Sequence, residues 1–400
     1  MKTAVRTFPA HTSAIRSGHS PDPRHSYPLY DLISESGLTV SILPLGASIQ
    51  KISVTDPDGQ KLPIALGFPD IQPYKELVCY AGATLGPNAG RIRNACLPIL
   101  GAEYLLSRND NGSQLHGGCH NLSSMLWNVD SVTCTDDAAS VLLSCEQPNG
   151  LDGYPGNRRY QIRYTLTEQG QLTAEQEAWT DRETYVNLSN HTYWNLSGDF
   201  EKSALHQELL IHAAQVCVND ENHLPVSLIP VEDTAFDFRK QRSLSSAIGT
   251  SSDPVSLKQL QIGRGYNQGY LLQKSSTCHA AQTATVDTGL ATTAFEPAAS
   301  RSAAAVPGLT PACILQDPDS KRTVRLLTDA PAVVLYSGGY LPDGLLLLNG
   351  QRSVPSCAIA LEAQDLPDAL HLLPSSCLLT LPEKPFHRII RYEIFQDSLH

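Results

Sequence analysis

From Tyr160 to Thr167 apolar and polar residues alternate: Tyr160, Ile162, Tyr164 and Leu166 share one side, Gln161, Arg163, Thr165 and Thr167 the other. A period of two sends successive side chains to opposite faces of an extended chain, so this segment predicts a strand with one buried face. Similar short runs recur at residues 38–52, 141–145, 184–188, 208–211, 323–327, 332–336, 357–362 and 388–395, separated by Gly, Pro, Asn and Asp. Their number predicts a large all-β protein of mainly antiparallel sheets. Helical periodicity is scarce, and only brief pieces such as residues 70–78 predict a turn or two. No strand–helix–strand rhythm supports a Rossmann fold.

No linker divides the chain near its middle, so residues 28–400 are expected to form one β-sandwich domain. Residues 1–27 predict a flexible N-terminal segment. In residues 275–310 Ala, Ser and Thr dominate without any period, which predicts a mobile insertion between strands.

Composition narrows the function classes. The 29 basic against 40 acidic side chains, a formal net charge of −11, argue against nucleic acid as a partner. The most apolar stretches are strand-sized, so no membrane partner is expected. The N-terminus lacks the apolar core of a secretory signal, which makes the cytoplasm the expected compartment. Ten cysteines without a C-x-x-C pair read as reduced and mostly buried.

Three places can carry chemistry. In Asn187-Leu-Ser-Asn-His-Thr-Tyr-Trp-Asn-Leu-Ser-Gly198, His191 sits among amides, hydroxyls and aromatic rings, a mixture that suits a sugar. An imidazole there can move a proton near neutral pH, although a lone histidine at a strand end reads more readily as structural. In Gln114-Leu-His-Gly-Gly118, His116 precedes two glycines that permit a tight turn. The spacing of His116, Cys119 and His120 invites a metal, but no second cluster supplies further ligands, so no metal is expected. Glu362 ends an apolar run that begins at Cys357; desolvation there raises a carboxyl pKa and makes a better base, unless the residue is an ordinary strand-end glutamate in solvent.

Taken together, Gln114-Leu-His-Gly-Gly118, Asp152-Gly-Tyr-Pro-Gly156, the His191 segment, Thr234-Ala-Phe-Asp-Phe238 and Leu361-Glu-Ala-Gln364 occur in the order and rough spacing of the aldose 1-epimerases, the galactose mutarotase family. The chain resembles that family from about residue 28 to 397. The resemblance implies a galactose mutarotase-like β-supersandwich, an open cleft on one sheet, and neither cofactor nor metal. It also implies that Glu362 takes the proton of the sugar's C1 hydroxyl while His191 protonates the ring oxygen. His116 then matches a second histidine near that oxygen. Ring opening, rotation of the C1 carbonyl and reclosure give the other anomer.

Two departures stand out. Where the family commonly shows G-R-x-A-N-R-I, this chain has Gly86-Pro-Asn-Ala-Gly-Arg-Ile92, so Arg91 carries over as a substrate contact and Asn88 becomes a candidate replacement. Asn267 stands where the family commonly has an Asp that binds sugar hydroxyls. Asp237 and the turn at residues 152–156 read as structural. The expected activity is aldose 1-epimerisation of free hexoses such as galactose or glucose by a monomer or weak homodimer. The alternatives are a non-catalytic sugar-binding protein and an epimerase for phosphorylated sugars; the second lacks a cluster of cations near the three motifs.

Overall fold

A computed structural model describes residues 1–8, 27–56, 58–273, 309–374 and 377–396. Its three large sheets are antiparallel throughout, as the alternation predicts. One sheet of nine strands runs in the order Asn128–Cys134, Ala138–Gln147, Arg158–Thr167, Gln171–Thr180, Phe386–Gln396, Arg322–Thr328, Thr310–Gln316, Glu208–Ile211 and Arg242–Ser243. A sheet of six runs Tyr193–Trp194, Ile359–Gln364, Ala332–Tyr336, Asn267–Leu272, Ala213–Asn219 and Pro225–Pro230. A sheet of five joins Lys2–Phe8, Tyr27–Ile33, Thr39–Leu43, Ser48–Thr55 and Lys61–Pro63.

The main core lies between these sheets. Tyr160, Ile162, Tyr164 and Leu166 are fully buried there, against Val40 and Ile49 of the five-stranded sheet and Val333, Leu335 and Leu361 of the six-stranded one. The strand Ile359–Gln364 is buried along its whole length, with Ile359, Leu361 and Ala363 in the main core and two polar residues, Glu362 and Gln364, on the other face. Among the described residues, no helix is long and apolar enough to cross a membrane.

Three details differ from expectation. Lys2–Phe8 is not a flexible segment, because it pairs in register with Tyr27–Ile33. Residues 184–188 form only isolated bridges, Thr184 to Thr380 and Asn187 to Asn88. The ten-residue helix Pro254–Gly263 was not predicted; Asp253 accepts a hydrogen bond from the Ser256 amide at its start and Pro254 opens the first turn, so the N-terminal signal outweighs weak periodicity. The insertion expected at residues 275–310 lies outside the described residues except for its last two, and Thr310 opens a strand.

Candidate active site

The site is built on the six-stranded sheet. Along Ile359–Gln364, Ile359, Leu361 and Ala363 point into the main core, which turns Glu362 and Gln364 to the opposite face and into a cleft of about 400 Å³. In register beside Glu362 lies Val334, and beside that Gly269. The Gly269 position has little room, since a Cβ would approach Leu366 and Pro367 to 3.0 and 3.1 Å.

His191 reaches the cleft from the turn between Ser189–Asn190 and Tyr193–Trp194. Its amide donates to Ala83 at 2.9 Å, and its carbonyl accepts from Gly82 at 2.9 Å. The polar neighbours expected to read a sugar are used for this scaffolding. Asn190 donates to the Gly82 carbonyl and accepts from the Thr192 amide and hydroxyl, while Asn195 donates to the carbonyls of Asp199 and Cys357. From that segment only His191 and Tyr193 line the cleft.

The His191 ring stacks on Tyr193 at 4.6 Å between centroids and meets His116 edge-on at 5.7 Å. Its Nε2 lies 3.6 Å from Glu362 Oε1, and both side chains are buried. Burial pushes the Glu362 carboxyl up to about 8, partly opposed by the positive charge of Arg91. Burial likewise pushes His191 down to about 4. Both shifts favour uncharged forms, so the pair holds one proton between them near neutral pH.

His116 adopts φ +52° and is held by two bonds to Gly90: its amide donates to the Gly90 carbonyl, and its Nδ1 accepts from the Gly90 amide at 3.1 Å. An accepting Nδ1 leaves the proton of the neutral ring on Nε2. Burial, with the nearby charges of His191 and Arg91, keeps the ring's pKa well below its ordinary value. Asp152, expected only to make a turn, also anchors the loop after His116 by accepting from the Cys119 and His120 amides. Arg91 lines the cleft with Nε 2.6 Å from Asp110 Oδ2. Asn267 lines it from the start of its strand, its carbonyl accepting from Asn219 Nδ2.

Asn88 does not line the cleft. Its side chain is buried between the Gly90 carbonyl and Asn187, so it braces the loop that carries Arg91. Sequence reasoning missed Tyr80, Asp110, His223, Tyr340 and Gln364, all of which line the cleft. Asp110 and Gln364 left a trace: the turn-forming run Asn109-Asp-Asn-Gly112, and the two-residue spacing that puts Gln364 on the face of Glu362.

Residues 28–384 match the family described as aldose 1-epimerase. The chain belongs to the aldose 1-epimerase family. It is 30% identical over 335 residues to the galactose mutarotase of Mus musculus, covering 84% of both chains. It is 25% identical over 365 residues to the maltose epimerase of Levilactobacillus brevis, covering 91% of this chain and 94% of that one. The fold is that of the galactose 1-epimerase from Lactobacillus acidophilus NCFM, with a TM-score of 0.76, 24% identity and 99% of each chain covered. Family membership makes the protein an isomerase.

Proposed function

We propose that the chain interconverts the α and β anomers of free hexoses such as galactose and glucose, with Glu362 and His191 exchanging protons with the hemiacetal. The observation that carries this is the buried pair, Nε2 to Oε1 at 3.6 Å, facing one cleft. In the ring-opening step Glu362 as carboxylate accepts the C1 hydroxyl proton while protonated His191 donates to the ring oxygen. The pair is then a neutral acid and a neutral imidazole, the state burial favours, and it waits there while the C1 carbonyl rotates. Reclosure reverses both transfers. The protein neither gains nor loses a proton over the cycle, and two positioned groups, each worth roughly 10² to 10⁴, suffice for a reaction that already proceeds in water.

His116 Nε2 is proposed to donate toward the ring oxygen region, and Arg91 and Asn267 to hold hydroxyls. Asn88, bonded to Gly90 and Asn187 behind the loop, is not among the contacts. Among the residues lining the cleft the single arginine is paired with Asp110, which favours a neutral sugar over a phosphorylated one. The relatives' names span galactose and maltose, sugars that share a hemiacetal end, and the acid–base pair addresses that end alone.

The reading takes residues 28–400 as one domain acting as a monomer or weak homodimer in the cytoplasm, without nucleic-acid or membrane partners. The nine described cysteines are free thiols, four of them buried and two, Cys119 and Cys134, exposed, so fewer are buried than the sequence suggests; free exposed thiols fit a reducing compartment. Magnetisation exchange between the anomeric protons of equilibrated galactose tests the activity. The protein is expected to speed exchange at unchanged anomer ratio; exchange no faster than in buffer, on galactose and glucose alike, contradicts it.

A further inference from the structure

We propose that Gln364 is a direct ligand of a sugar hydroxyl and decides which hydroxyl pattern the cleft accepts. The inference rests on the epimerase reading above and adds a residue to its substrate contacts.

Gln364 is fully buried, and neither Oε1 nor Nε2 has a hydrogen-bond partner within the protein. Other buried glutamines with an unpaired atom still bond at their other end: Gln50 donates to the Phe68 carbonyl, Gln176 to that of Ser189, and Gln268 accepts from the Asn267 amide. Among the described residues Gln364 is the one amide with both ends buried and unpartnered. Buried polar groups are almost always satisfied, because leaving one unpaired forfeits its hydration with nothing in return.

The surroundings say what the partner is. Gln364 lines the cleft, to which Gly90, Gly269, Val334 and Pro367 bring no side-chain polar group, and its cross-strand partner is Ala332. A primary amide offers one acceptor and one donor group side by side, which matches a hydroxyl that both donates and accepts. Gln364 is two residues beyond Glu362 on the same strand face, roughly 6–7 Å along it. That separation is comparable with the span of a pyranose ring from its C1 hydroxyl to a hydroxyl on the far side. With Glu362 at the anomeric end, Gln364 is placed to read the ring at a distance from the reacting bond.

The test replaces Gln364 by Leu, close in size and without polar atoms, and measures mutarotation and calorimetric binding of galactose, glucose and the 2-, 3-, 4- and 6-deoxygalactoses. Gln364→Leu is expected to weaken galactose binding and raise KM about tenfold, with a smaller change in kcat. One deoxygalactose should bind wild type and variant equally, because its missing hydroxyl is the one Gln364 holds. The variant should melt at or above the wild-type temperature, since it loses no bond within the protein. Equal weakening for every sugar, unchanged affinity, or a lowered melting temperature with affinity kept overturns the proposal. A wild type that binds hexoses without accelerating mutarotation overturns the catalytic reading alone. A wild type that neither binds nor accelerates overturns both.

Discussion

His191 Nε2 and Glu362 Oε1 lie 3.6 Å apart, one on a turn pinned to Gly82 and Ala83, the other in the middle of a sheet. Burial lowers the first and raises the second, opening a wide interval in which a single proton resides on the pair.

The pH dependence of kcat/KM follows. Below about 4 the pair takes up a second proton and the carboxylate form is lost; above about 8 the pair has none, and the acid is lost. A bell-shaped profile with limbs near those values is expected for wild type. A profile that is flat from pH 4 to 9 contradicts this assignment.

Glu362→Gln should stabilise the protein while inactivating it. The folded pKa of Glu362 is raised above its ordinary value of 4.5, so below 4.5 both states are protonated and burial of the acid costs nothing through titration. Stability is lost as pH rises toward about 8, because only the unfolded chain ionises freely. The variant is therefore expected to match wild type near pH 4.5 and exceed it by roughly 3–5 kcal/mol at pH 8, read by denaturant unfolding.

Asn267→Asp tests the departure at that position. A charged acceptor is typically worth about 1 kcal/mol more than a neutral one toward a hydroxyl, so KM is expected to fall up to about tenfold with kcat little changed. Steady-state polarimetry reads this, and an unchanged KM removes Asn267 from the contact set.

Gly117→Ala tests the frame behind His116. Gly117 has φ +93°, and an added Cβ would fall 2.1 Å from the Gly86 carbonyl oxygen. Loss of about 2 kcal/mol or more is expected, with activity falling alongside as His116 and the 86–91 loop shift together. Thermal melting and mutarotation on the same preparation check both.

Much of this was legible where one residue answers to one force. Tyr160 to Leu166 alternate because one face of their strand meets the core, and the alternation survives in the sequence. Glu362 could be picked out as a carboxyl closing an apolar run, although its strand continues to Gln364. Asn88 could not be placed, because its amide is satisfied by Gly90 and Asn187, contacts that only the fold creates. Tyr80 was invisible for a similar reason: it reaches the cleft through a short 3-10 turn with φ +53°, which carries no periodicity. The helix Pro254–Gly263 was marked by Asp253-Pro254, a capping signal rather than a periodic one.

The central claim is that Glu362 and His191 act as one acid–base unit. Polarimetric mutarotation of freshly dissolved α-D-galactose by wild type, Glu362→Gln, His191→Ala and the double variant tests it most directly. Each single variant is expected to lose roughly 10² to 10⁴ in rate, and the double variant little more than either. Folded single variants that keep a tenth or more of wild-type activity contradict the claim.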